Sequence, residues 1–477
     1  MWEIIRANKQ KSIVLFIAMA FCLLILGYAI GSAIEPNVGG FYGAIAAGLI
    51  WIALSLVSYY SGDSILLSSS NATEVTSDIH PQLFNVVEEM KIAANLPKLP
   101  KIYIMDDDQP NAFATGRNPE CASVAVTTGL LSRLNRDELQ GVVAHEVSHI
   151  LNRDILYVTC AGVMLGSVAI ISEIFLRGFR GGSLIRRYKP SKRNVNQGQA
   201  ILIFIAVAAA ILAPILVRLL YFSLSRRREY LADASGARLT RYPEGLASAL
   251  EKISASKVAS VTASQVTAPM YIVNPLQAAG SAFSGFWSTH PPTSERVQIL
   301  RAMSQGVNFS SYEQAFQQVR GRGNGILPKS ALANRDVVAV RAPSLENEKE
   351  EKSHSDPKPN EKESARKLGD LRRAIHRYAF VTCQCGLKFK IPPNFARSSI
   401  LCPRCFFQVQ IPHLHALESS KEGSDSLFYE RRSRNWESFQ CECGHLIQLS
   451  PQFLGSHINC AQCQKSIQIK NSERVPR

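Results

Sequence analysis

Two long stretches without a single charge limit what this chain can become. Ser12 to Ala33 is 22 residues long, and Pro36 to Gly62 follows almost at once. Each supplies the roughly 20 apolar residues that a spanning helix needs. Arg6, Lys9 and Lys11 precede the first run, while the turn at Glu35-Pro36-Asn37 carries no base. The excess of positive charge on one side predicts a cytoplasmic N-terminus and a return to the cytoplasm after the second span. The length of the first run, and the second span right behind it, argue against a cleaved signal sequence.

Two shorter apolar stretches, Ile155 to Ser172 and Ala200 to Val217, hold 18 uncharged residues each, with Pro214 inside the second. The segment between them carries Arg177, Arg180, Arg186, Arg187, Lys189, Lys192 and Arg193 against a single acid, Glu173, at its start. A full crossing would put that basic loop outside, against the usual bias; a hairpin dipping into the membrane would not. Both readings remain open. Overall, Lys plus Arg number 53 and Asp plus Glu 38, a net charge of +15. That excess suits nucleic acid and an anionic membrane surface equally well.

Between the two apolar hairpins the pattern is that of a small α+β unit. Residues 80 to 95 read as an amphipathic helix. Lys101 to Met105, Asn111 to Thr115 and Ser123 to Thr127 read as strands. Asn135, with Glu138 three residues on, reads as the cap of a helix that runs through His149. That helix carries His145-Glu146-Val147-Ser148-His149. Histidines at i and i+4 project from one face, so both imidazoles can reach a single zinc ion. Glu146 stands beside the metal's open position. There it can take a proton from the water that the metal activates and hand it to a leaving amine. A third ligand is still required, and no histidine follows at the spacing of a third imidazole. Glu229 and Asp233, four apart on a later helix, can supply it: Glu229 as ligand, Asp233 as a hydrogen-bond partner that orients a ligating histidine. His149 falls just before the third apolar stretch and Glu229 just after the fourth. A hairpin therefore returns both to one face of the membrane.

H-E-x-x-H, the downstream E-x-x-x-D, the upstream Asn111-Ala112-Phe113-Ala114 and His290-Pro291-Pro292-Thr293-Ser294-Glu295-Arg296 occur in that combination over residues 1 to 305. Together they resemble the HtpX-like membrane zinc metalloproteases, relatives of the type-one CAAX prenyl proteases. The resemblance implies a gluzincin-type domain in which His145, His149 and Glu229 bind the catalytic zinc and Glu146 is general base and acid. It also implies that Asn111, Ala112, Phe113 and Ala114 form an edge strand that pairs with an extended substrate. His290 would then lie near the site as a donor to the oxyanion, and Arg296 would hold local structure. Membrane or misfolded proteins would be the substrates, cleaved from the cytoplasmic side. Nothing marks an isoprenyl substrate.

Past residue 342 the composition turns to Glu, Lys, Ser, Pro and Asn, too polar to bury a core, and a disordered linker is expected. Behind it come eight of the eleven cysteines. Cys383, Cys385, Cys402 and Cys405 recur as Cys441, Cys443, Cys460 and Cys463, each displaced by 58 positions (441 − 383 = 58). Close pairs separated by a hairpin-length spacer suit tetrahedral zinc, so two tandem zinc ribbons are expected, each with one structural ion. Arg372, Arg373, Arg377, Lys388, Lys390, Arg397 and Arg404 make the first one basic, and Phe406-Phe407 could stack on bases. Protein recognition is the preferred role, with nucleic acid as a partner the charge permits without favouring.

The expected whole is a mainly α membrane protein with transmembrane helices, an α+β metalloprotease domain, a disordered linker and two small β zinc ribbons. It would be a multi-pass protein of the cell (inner) membrane, with the active site and C-terminal module cytoplasmic. The expected divisions are 1–62 (first transmembrane hairpin), 63–154 (protease with the H-E-x-x-H helix), 155–222 (second apolar hairpin), 223–325 (rest of the protease), 326–370 (linker), 371–417 and 430–472 (ribbons). The expected activity is zinc-dependent endopeptidase, with protein or peptide substrates and the lipid membrane as partners. The rivals are a non-catalytic membrane-anchored adaptor and a nucleic-acid binder, both acting through the ribbons. Cleavage of an unfolded protein separates the first from an enzyme; steeply salt-dependent binding would mark the second.

Overall fold

The structure is a computed structural model. It describes residues 2–35, 37–156, 159, 172–173, 176–177, 197–256, 258, 260, 270–273, 291–303, 306–321, 325–327, 332, 338–344, 361–395, 397–411, 427–431, 433 and 435–471. The first uncharged run lies in α1 (Trp2–Ile34) and the second in α2 (Gly39–Ser69). Both are long and apolar enough to cross a bilayer. They turn back on each other through glycines: a Cβ on Gly31 would collide with the Gly39 carbonyl, and one on Gly43 with that of Gly27. Small residues four apart let two backbones approach where lipid offers no hydrophobic drive. Outward from this seam Ile13, Ile17, Phe21, Phe41, Leu49 and Tyr60 are exposed, as a lipid-facing surface requires.

Three residues beyond α2 the soluble fold begins. β1 (Ala72–Glu74), β2 (Lys101–Met105), β3 (Ala112–Gly116) and β4 (Ala122–Thr127) form one sheet in the order β1-β2-β4-β3. β2 and β4 run parallel and the outer pairs antiparallel, which leaves β3 at an edge. α3 (Pro81–Ala93) and α5 (Arg136–Leu151), with the short α4 (Thr128–Arg133) between them in sequence, bury Val86, Val87, Met90, Val142, Val143 and Val147 in the same core as Ile102, Ile104, Val124 and Val126. The cap of α5 is a full capping box. The Asn135 side chain accepts from the Glu138 N–H at 2.9 Å, and the Glu138 carboxylate accepts from the Asn135 N–H at 3.0 Å.

α6 (Gln197–Thr240) is continuous over 44 residues, about 66 Å at the helical rise. Its N-terminal half exposes Ile201, Phe204, Ile205, Ile211 and Leu212 and packs beside α1; its C-terminal half enters the protease core through Tyr230, Ala234 and Ala237. One rigid rod therefore joins the membrane helices to the acidic half of the candidate site. Of the stretch Ile155 to Ser172, almost all lies outside the described residues. α7 (Pro243–Ser254), α8 (Thr293–Arg301) and α9 (Phe309–Arg320) complete the core. Gly141 of α5 meets Gly245 and Leu246 of α7 so closely that a Cβ on Gly141 would stand 2.6 Å from the Leu246 nitrogen.

The C-terminal module differs from the expected loose tether. Of the segment 326–370, residues 328–331, 333–337 and 345–360 lie outside the described residues, while described parts on either side make long-range contacts. The Val307 N–H donates to the Val338 carbonyl at 2.9 Å, and Arg341 and the Ser344 N–H both donate to the buried Asp137 at 2.8 Å. Glu361–Ile375 is a helix, α10, whose Leu371 and Ile375 enter the protease core. Arg372 pairs with Asp106 at 2.7 Å and with Asp108, and His376 meets Asp106 at 2.9 Å. Polar composition alone concealed two apolar residues four apart and a set of long-range ion pairs.

Each ribbon is two hairpins. β5 (Ala379–Thr382) and β6 (Lys388–Ile391) pair antiparallel, as do β7 (Ser399–Leu401) and β8 (Gln408–Gln410). The second ribbon repeats this in β10 (Glu437–Gln440) with β11 (Leu446–Leu449) and β12 (His457–Asn459) with β13 (Ser466–Asn471); β9 (Leu427–Arg431) adds a parallel strand to β13. Gly386 and Gly444 take φ of 82° and 85° at matching turns, the left-handed geometry that a glycine accepts without strain. The ribbons touch: Phe380 stacks on Trp436 at 5.3 Å, and the Ser450 N–H donates to the Asp78 carbonyl of the protease at 2.9 Å.

Candidate metal centre and active site

α5 and α6 cross where Gly236 lets them come close; a Cβ there would stand 3.2 Å from the His145 nitrogen. At this crossing the Nε2 atoms of His145 and His149 lie 3.3 Å apart. Glu229 places one oxygen 3.5 Å from the first and the other 3.7 Å from the second. In tetrahedral zinc with bonds of 2.0–2.1 Å, ligand atoms stand roughly 3.3 Å from one another. Two imidazoles and a carboxylate at these separations are therefore a donor set that fits zinc in size and chemistry. All three side chains are buried or nearly so.

The surroundings orient these donors. Asp233, fully buried one turn after Glu229, meets Nδ1 of His145 at 3.0 Å, which leaves Nε2 free for a metal. Arg296 of α8 is fully buried too. It donates to both Asp233 oxygens, at 2.8 and 2.7 Å, and to the Ile272 carbonyl at 3.4 Å. Burial works against the Asp233 charge, but the Arg296 guanidinium outweighs it and holds the carboxyl below the ordinary value. Nδ1 of His149 meets both oxygens of buried Asp154, at 3.2 and 3.1 Å. Burial alone would depress both imidazoles. Asp233 and Glu229 beside His145, and Asp154 beside His149, outweigh it and raise both, His149 to about 10. A more basic imidazole is a stronger ligand.

Asp154 escapes a reading of the sequence because it sits beyond the helix end. Arg153 turns the chain back with φ of 60°, and only that turn aims Asp154 at His149. An acid just ahead of an apolar run was the available signal. Asp154→Asn is expected to weaken zinc binding by about 10–100-fold, read by competition with a chromophoric chelator, because it removes the outer partner of one imidazole while leaving the donors intact.

Glu146 lies on α5 between the two histidines and faces β3. Burial holds its carboxyl above the ordinary glutamate value, while the imidazoles and the Ala114 main chain pull it back. Among the four residues expected to form a substrate strand, the structure divides the work. Asn111 precedes β3 and acts as a clamp: its amide donates to the Val273 carbonyl at 2.7 Å, its oxygen accepts from Val273 N–H at 3.3 Å, and its main chain is bonded to Thr127. The Ala112 carbonyl already accepts from the Ile272 N–H at 3.1 Å. Phe113 is buried under Tyr271 at 5.4 Å. Ala114 is left as the edge position beside Glu146. His290 lies outside the described residues; Arg296, from the same motif, is the clamp on Asp233.

In the ribbons, Sγ of Cys383 lies 3.4 Å from Cys405, and Cys385 lies 3.6 Å from Cys402. The second set repeats this at 3.6 Å for Cys441–Cys463 and 3.5 Å for Cys443–Cys460. These approach the roughly 3.8 Å of four thiolates around zinc at 2.3 Å.

Peptidase family M48 matches residues 76–304. The Protease HtpX homolog of Dictyoglomus thermophilum is 45% identical over 304 residues, 64% of this chain and 95% of that protein. The chain belongs to the HtpX-like M48 metalloproteases. The Protease HtpX homolog of Streptococcus agalactiae serotype III is 40% identical over 305 residues and is covered to its full length. Among solved structures, S. mikatae Ste24p aligns at 17% identity with a TM-score of 0.35, over 63% of this chain and 67% of that one. The HtpX-like family makes the chain a membrane-bound, zinc-dependent protease that acts on proteins or peptides. The matched relatives cover 304 or 305 of the 477 residues, and the family model ends at residue 304, ahead of α9, α10 and the two cysteine groups.

Proposed function

We propose that His145, His149 and Glu229 hold the catalytic zinc of an endopeptidase, with Glu146 as proton carrier. The observation that carries this is the convergence of three donors from two distant segments at separations suited to one ion. When bound there, zinc supplies Lewis-acid activation of water and of the scissile carbonyl. Glu146 takes the proton of the attacking water on its carboxylate and delivers it to the leaving amine nitrogen. Ala114 at the sheet edge offers its main chain to an extended substrate, a form of strand addition. Asn111 and Phe113 hold that strand in place, and Asp233 and Arg296 hold His145. Cys383, Cys385, Cys402 and Cys405, and likewise Cys441, Cys443, Cys460 and Cys463, each hold a structural zinc.

The architecture proposed is a mainly α, multi-pass protein of the cell membrane with its active site and ribbons in the cytoplasm. Arg6, Lys9 and Lys11, in the first turns of α1 ahead of its uncharged run, support that orientation, and the packing of α6 beside α1 supports a second membrane hairpin. Substrates are membrane or misfolded proteins that present an extended segment near the inner face. Purified protein in lipid should cleave an unfolded protein, lose that activity to a chelator and regain it on return of zinc, about one equivalent of which fills the catalytic site. Absence of cleavage by zinc-loaded protein in lipid would refute the proposal.

A further inference from the structure

The tandem ribbons offer an internal comparison, since every position in the first has a counterpart 58 residues on. Their folds agree; their surfaces do not. On the second zinc knuckle of the first ribbon, Leu401, Phe406 and Phe407 are 59%, 73% and 46% exposed. Their counterparts in the second ribbon are Asn459, Gln464 and Lys465. Phe406 and Gln464 share the same left-handed backbone, φ of 57° and 60°, so the knuckle does not call for an aromatic there. Phe406 adds nothing to a core and occupies a conformation that side chains seldom adopt.

Charge differs in the same sense. Residues 379–411 carry Lys388, Lys390, Arg397 and Arg404 and no acid, whereas 437–469 carry Glu437, Glu442 and Lys465. Arg397 and Arg404 are exposed and belong to the same hairpin as the three apolar residues. The first ribbon's root is also fixed in place. β1 starts three residues after α2, Ala72 pairs with Met105, and Asp106 and Asp108, close behind in sequence, hold Arg372 of α10 and His376 just past its end. The ribbon thus leaves the protease beside the point where α2 emerges from the bilayer.

We propose that the Leu401–Phe407 knuckle, with Arg397 and Arg404, seats on the anionic phospholipid surface of the membrane that α1 and α2 cross. Aromatic rings at headgroup depth with flanking cations are the chemistry of interfacial contact. The tether makes a weak contact sufficient, because the knuckle need not find the bilayer by diffusion. The second ribbon, without aromatic or apolar side chains at the counterparts of Leu401, Phe406 and Phe407, faces away from lipid.

The test uses the full-length chain in its native membrane, with the photoreactive analogue benzoylphenylalanine at position 407 or, as control, at position 465. Irradiation should give adducts of phospholipid mass at 407, at least about fivefold above 465. Adducts at 407 dominated by protein or by nucleic acid, or equal lipid yield at both positions, would overturn the proposal. A second measurement guards against a disturbed fold. In nanodiscs, raising anionic lipid to about 30% should slow amide exchange across 401–407 by at least about threefold. Phe406→Gln with Phe407→Lys, the residues the second ribbon already tolerates, should abolish that slowing; exchange that ignores lipid charge in the unsubstituted chain contradicts the assignment.

Discussion

Glu146→Gln should leave the protein folded and loaded with zinc while kcat/KM for an unfolded substrate falls by about 10²–10⁴-fold. The amide keeps the shape of the side chain but cannot take up a proton. Folding should not suffer, because burial already works against the charged form of Glu146 and the amide escapes that penalty. None of the three donor groups is altered, so metal content should match the unsubstituted protein. Metal analysis alongside turnover separates this outcome from the alternative. Lost activity with lost zinc would make Glu146 a structural support, and retained activity would remove it from the chemistry.

Arg296→Met is expected to act through stability rather than chemistry, and strongly. Arg296 and Asp233 are both fully buried and joined by two hydrogen bonds. Removing the cation strands a carboxylate in the core, which costs about 3–5 kcal/mol when a buried pair is broken from one side. Asp233 would then gain a proton or turn, and His145 would lose the contact that fixes its tautomer. Thermal unfolding in detergent should drop markedly, with zinc affinity falling in parallel. The double substitution Arg296→Met, Asp233→Asn should recover part of the stability, because no isolated charge remains. It should not recover activity. A single substitution with an unchanged melting temperature would show that the pair does not clamp the site.

What could be read from the sequence was local. The capping box at Asn135 and Glu138, the i and i+4 histidines, and Glu229 with Asp233 on one helix face each span a turn or two of chain, and helical periodicity alone aligns them. The 58-residue register of the ribbons was equally visible, since repetition does not depend on tertiary context. What escaped depends on distant chain. Asn111 is bonded to Val273, 162 residues away, so its role as a clamp could not be seen in the motif that contains it. Asp154 reaches His149 only through the left-handed turn at Arg153. The docking of α10 rests on Leu371 and Ile375 reaching the protease core and on Arg372 finding Asp106 and Asp108. In a segment dominated by Glu, Lys and Ser, that is a contact no composition argument reveals.

The central claim is that one metal ion sits between α5 and α6. Anomalous diffraction at the zinc edge from the purified full-length protein addresses it directly. The account predicts a peak about 2.0–2.2 Å from Nε2 of His145, Nε2 of His149 and a carboxylate oxygen of Glu229, beside the two peaks expected in the cysteine clusters. Peaks in the ribbons alone, with the carboxylate of Glu229 turned away from the imidazoles, would contradict it.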